Sequence, residues 1–128
     1  MSNSKKVAGV WMDSKHAFVI ANEGFSADGE YDVVSKVNCD GHDDDNYKND
    51  RVEQSKETAE LKKYFKEIAN HIDEVNAIYI FGPGKTQEQF KNFLKDNQNF
   101  DQKDIELGTS DKISENQMIA QVRNHFNS

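Results

Sequence analysis

The chain has 128 residues, 35% of them hydrophobic and 30% charged, a net charge of −7 and a mean hydropathy of −0.91. That length predicts a single domain over 1–128, with one core that buries roughly two thirds of the unfolded surface. No apolar run nears the ~20 residues of a membrane span, and the acidity repels phosphate backbones over the molecule as a whole.

The opening Met-Ser-Asn-Ser-Lys-Lys has no apolar stretch of signal-peptide length, so a cytoplasmic protein without a membrane partner is expected. Val7 to Met12 and His16 to Ala21 are apolar runs joined by Asp13-Ser14-Lys15, the length and type of connection that closes an antiparallel hairpin. After a turn region, Tyr31, Val33, Ser35 and Val37 alternate with Asp32, Val34 and Lys36, which predicts a third strand with one drier face. Residues 38–52 are dense in Asp and Asn and predict a flexible acidic loop. Between Asp40 and Glu60, eight acids stand against Lys48, Arg51 and Lys56. Cys39 is the sole cysteine, which excludes an internal disulfide and fits a reducing compartment.

From Glu53 to Ile72 the apolar positions Leu61, Tyr64, Phe65, Ile68 and Ile72 fall on one helical stripe. Ala77 to Phe81 is apolar throughout, as in a strand buried on both faces. A Gly82-Pro83-Gly84 turn leads into a second helix, with Thr86 and Gln89 spaced as a capping box and Phe90, Phe93 and Leu94 inward. Ile105 and Leu107 alternate with Glu106 and Gly108 as a fifth strand. Ser114 and Gln117 repeat the capping-box spacing, Ile113 and Met118 stand at staple positions, and Met118, Ile119, Val122 and Phe126 continue the stripe of a last helix. The order is β-β-β-α-β-α-β-α. A parallel crossover in the second half and a meander in the first predict a three-layer α/β fold with a mixed five-stranded sheet, of ribonuclease-H-like type.

The turn after the fourth strand is the leading binding candidate. Tyr79 to Thr86 differs from a P-loop in having Tyr79 where the first glycine belongs, and Pro83 removes one N–H donor, so the loop is too short to encircle a triphosphate. Gly82, Gly84, Lys85 and Thr86 remain an anion-binding candidate at the helix start. Asp13 stands where ribonuclease-H-like nucleases place a metal carboxylate, with Asp111 as the nearest later partner. The simpler reading of Asp13 is a turn residue bonding its own backbone. Cys39 and His42 have half of a zinc spacing and no second half, and Asp43, Asp44 and Asp45 lack the glycine and glutamate offsets of an EF-hand. No residue is assigned a catalytic role, and no cofactor or metal is assigned.

The element order, with GVWMDSKHAFVI at 9–20, IYIFGPGKTQEQF at 78–90 and TSDKISENQMIAQVRNHF at 109–126, resembles the middle domain of the peptide chain release factor and Pelota family. Within that family it is most similar to small bacterial single-domain members grouped with the translational machinery. The resemblance implies the release-factor middle-domain fold and a ribosome or structured-RNA partner. Release factors that hydrolyse peptidyl-tRNA carry a Gly-Gly-Gln loop between the third strand and first helix. Here that place reads NCDGHDDDNYKNDRV, so the hydrolytic role is not carried over, as in Pelota-type domains that also lack the tripeptide. The expected function is a non-enzymatic binding module associated with translation. Two alternatives stay open: a Mg-dependent nuclease using Asp13, and a protein-interaction domain that recruits a partner through the acidic loop.

Overall fold

The structure is a computed structural model that describes residues 6–22, 24–25, 30–39, 50–96, 100 and 103–127. Among these residues eight elements follow in chain order: β1 (Val7–Met12), β2 (His16–Ala21), β3 (Asp32–Asn38), α1 (Asp50–His71), β4 (Ala77–Phe81), α2 (Thr86–Lys95), β5 (Asp104–Leu107) and α3 (Glu115–Asn127). The five strands form one sheet in the order β3-β2-β1-β4-β5. β1 pairs antiparallel with β2 and parallel with β4, β2 pairs antiparallel with β3, and β4 pairs parallel with β5, so the sheet is mixed.

Both faces of the central strands are covered, which explains their unbroken apolar sequence. On one face Ala8, Val10, Met12, Ile78 and Ile80 pack with Tyr64, Phe65 and Ile68 of α1 and Phe90 and Leu94 of α2. On the other, Val7, Trp11, Ile20 and Phe81 pack with Met118 and Val122 of α3. The helices therefore lie in two layers, α1 and α2 against one side and α3 against the other. Successive strand residues point to opposite faces, so β1 feeds both cores in alternation. Among the described residues, no helix is long and apolar enough to cross a membrane.

Three expectations need correction. The third strand does not keep one drier face. Its burial alternates as expected, Val33, Ser35 and Val37 being less exposed than Asp32, Val34 and Lys36, but Val19 pairs with Ser35 and Ile20 with Val33, so Val34 is an extra residue, a bulge that puts Val33 and Val37 on opposite faces. Val37 accordingly joins the α1 and α2 core, Val33 packs toward α3, and Val34 is left 46% exposed. The first helix begins at Asp50, three residues ahead of the expected start, and Asn38 still belongs to β3. The stretch expected as a loop over 38–52 is thus strand and helix at its two described ends. Its remainder, with Asp40, His42, Asp43, Asp44 and Asp45, lies outside the described residues.

The third correction concerns α2. Thr86 is its first helical residue and Lys85 is the N-cap, with no side-chain cap bond, so the Thr86 and Gln89 box does not form. The helix starts one residue too early for the Thr86 hydroxyl to serve as cap. At α3 the same spacing does work. The Ser114 hydroxyl accepts from the Gln117 N–H at 3.2 Å, and Gln117 Oε1 accepts from the Ser114 N–H at 3.1 Å.

α3 comes so close to β1 that a Cβ at Gly9 would run into both γ-methyls of Val122. Gly9→Ala should lower stability by about 1–3 kcal/mol through overpacking. Urea unfolding checks this, and adding Val122→Ala should cost less than the sum of the two single losses.

Candidate functional site

Because β1, β4 and β5 run parallel, the segments that follow them emerge at one edge of the sheet: Asp13 after β1, Gly82-Pro83-Gly84 after β4, and Gly108 to Lys112 after β5. The C-terminal edge of parallel strands is where open α/β sheets bind ligands. Backbone bonds tie the segments together. The Gly108 N–H donates to the Ile80 carbonyl at 2.8 Å and the Ser110 N–H to the Gly82 carbonyl at 3.1 Å. The indole N–H of Trp11 reaches the Asp111 carbonyl at 3.4 Å.

Two adjoining hollows open here. One, of about 350 Å³, is lined by Gly82, Pro83, Gly84, Thr109, Ser110 and Asp111. The other, of about 320 Å³, shares Gly84 and Thr109 and adds Gln87 and Glu88. Of the residues singled out in the sequence, the structure brings Gly82, Gly84 and Asp111 to one hollow. Lys85 and Thr86 begin α2 beside it without lining it, and the uncapped first turn leaves N–H groups there without a side-chain partner.

Asp13 is held apart from the hollow by its own turn. Its Oδ1 accepts the N–H of Lys15 at 2.8 Å and of His16 at 2.7 Å, and its Oδ2 faces the Lys112 ammonium at 3.7 Å. This is the self-bonded turn read from the sequence. Among the described residues no group of three or more His, Cys, Asp or Glu side chains could hold a metal ion. The buried Tyr64 hydroxyl donates to the Asp13 carbonyl at 2.9 Å, which joins α1 to the hairpin turn. Burial, then the charges of Asp13 and Cys39, push the Tyr64 phenol well above its ordinary value of 10.0, so it stays a protonated donor.

Gln87 was not singled out in the sequence, though it stands on the same buried stripe of α2 as Phe90 and Leu94. A polar residue on an apolar stripe is the signal that would have found it. Its amide nitrogen donates to the Gly82 carbonyl at 2.9 Å and to the Gly108 carbonyl at 3.4 Å, bracing the two turns.

A mixed five-stranded α/β sandwich with a glycine corner at its parallel edge is the class of domain that these features define. No protein-family profile matches the chain, and no curated protein matches it in sequence. Solved structures do share its fold. Archaeoglobus fulgidus Pelota superposes with a TM-score of 0.62 at 11% identity, over 97% of this chain and 32% of that one. Thermoplasma acidophilum Pelota gives 0.51 at 20% identity, over 88% and 29%. The archaeal translation termination factor aRF1 gives 0.50 at 12% identity, over 93% and 38%. The chain therefore has the fold of one segment of these proteins, about a third of their length, in agreement with the resemblance in its sequence.

Two outcomes follow from this geometry. Gly82 has a φ of +153°, and a Cβ there would strike the backbone carbonyl of Met12. Since that neighbour is main chain, Gly82→Ala should destabilise by more than ~3 kcal/mol, seen as a large drop in urea midpoint. Tyr64 carries a pH dependence. With its folded value above 10.0, the unfolded chain loses the phenolic proton first, so stability falls as pH rises above about 10. Tyr64→Phe should cost about 0.5–1.5 kcal/mol at neutral pH and flatten that alkaline decline.

Proposed function

We propose that this chain is a cytoplasmic, non-catalytic binding domain of translation that docks on the ribosome or on structured RNA. The observation that carries the reading is the likeness of fold over 97% of the chain to a Pelota protein, with aRF1, a translation termination factor, as a second neighbour. The sequence at 38–52, which runs from the end of β3 into the start of α1, supports a recognition role rather than hydrolysis, since NCDGHDDDNYKNDRV has no Gly-Gly-Gln. The carboxylate of Asp13 supports it as well, being taken up by its own turn and by Lys112.

With a net charge of −7, non-specific attraction to RNA is weak, so binding depends on a defined surface. Co-sedimentation with purified ribosomes at physiological salt tests this. A saturable ribosome-bound fraction is the expected outcome, and a protein that stays wholly in the free fraction overturns the proposal.

A further inference from the structure

The hollow beside Gly84 is rich in acceptors. Gln87 is 3% exposed, a buried amide on an otherwise apolar stripe. Two carbonyls fix its amide, because the nitrogen must face both Gly82 O and Gly108 O. Its Oε1 is left buried without a donor. The exposed carboxylate of Glu88 borders the same hollow as Gln87 and that of Asp111 the adjoining one, and neither is in an ion pair among the described residues. On the β5 side the ammonium of Lys112 faces Asp13, and on the α2 side Lys85 stands beside the hollows without lining them. A buried acceptor and two unpaired carboxylates call for an occupant that brings hydrogen-bond donors and positive charge.

We infer that this hollow receives a guanidinium, the arginine side chain of a basic protein segment. Guanidinium offers five N–H donors in one plane, enough to serve an amide oxygen and carboxylates on separate elements at once. A lysine ammonium has three donors and holds its water more tightly. Oε1 is buried, so the guanidinium reaches it only as the lining of the hollow gives way locally. The overall charge of −7 steers a basic segment toward the chain and a phosphate away from it. This inference stands apart from the ribosome reading.

Amide chemical shifts of the full chain, titrated with ethylguanidinium, provide the test. A saturable response centred on Gly84, Gln87, Glu88, Gly108 and Thr109 is expected, with weaker binding of methylammonium. Glu88→Gln and Asp111→Asn are surface changes that leave the fold intact, and each should weaken binding about two- to fivefold. Gln87→Met should weaken it further, but that variant also loses the brace between the turns, so the two surface variants decide. Equal binding of methylammonium overturns the guanidinium assignment. A response of the same amides to inorganic phosphate or to oligouridylate, with none to ethylguanidinium, overturns the inference in favour of an anion or RNA site. Ethylguanidinium binding that neither surface substitution weakens overturns it too.

Discussion

The parallel pairing of β1 with β4 is the constraint on which the rest depends. Five residue pairs from Val7–Ala77 to Trp11–Phe81 hold two strands side by side, and nearly every side chain on them is buried. Burying a large aliphatic or aromatic side chain is worth about 1.5–3 kcal/mol, whereas an exposed ion pair contributes about 0–1 kcal/mol. The contacts that hold α3 follow that ranking. Its apolar face fills the second core through Met118 and Val122, while the Lys36–Glu115 pair at 3.1 Å joins two exposed side chains. The apolar sandwich fixes α3, and the ion pair adds little to it.

The same pairing builds the corner. Parallel strands send their C-terminal ends to one edge, and β4 must leave the sheet beside the end of β1, where the Met12 carbonyl occupies the space a Cβ at position 82 would need. A glycine is therefore a condition of the pairing and not only a turn signal. Its carbonyl then becomes a shared acceptor, taking the Ser110 N–H from the β5 side and the Gln87 amide from α2. One backbone oxygen thus joins three segments. Tyr64 does the equivalent on the other side of the edge, carrying α1 to the Asp13 turn.

The parts of this fold that could be read in the sequence are those with strong periodicity. β1, β2 and β4 are unbroken apolar runs, and α3 carries both its stripe and a cap whose reciprocal bonds form as spaced. What could not be read has local physical reasons. The first turns of α1 precede Leu61, where the apolar stripe begins, so nothing periodic marks a start at Asp50. The bulge at Val34 leaves the composition of β3 unchanged and shows only in its pairing with β2. The capping spacing at Thr86 misleads because the glycine corner, not a side-chain cap, sets where α2 begins. At the corner itself Gly82, Gly84 and Asp111 were legible as turn and acid. Gln87 was missed because its partners are carbonyls 5 and 21 residues away along the chain.

Low identity with the same fold, 11% to 20% across these neighbours, is what a core specified by apolar pattern and volume permits. Such a core says little about ligands, and the chemistry has to be read from the edge it displays. There the balance of charge is decided by magnitude. The start of α2 carries a dipole equivalent of roughly +0.5 charge, and it fades within the first turn. Glu88 and Asp111 each set a full negative charge at one of the two adjoining hollows, against the single ammonium of Lys85 beside them and next to an amide oxygen that has no donor. A glycine turn followed by a helix is ordinarily read as a cradle for anions, but with this lining the carboxylates outweigh the dipole. The turn is the same, and the side chains around it reverse the sign of what it attracts.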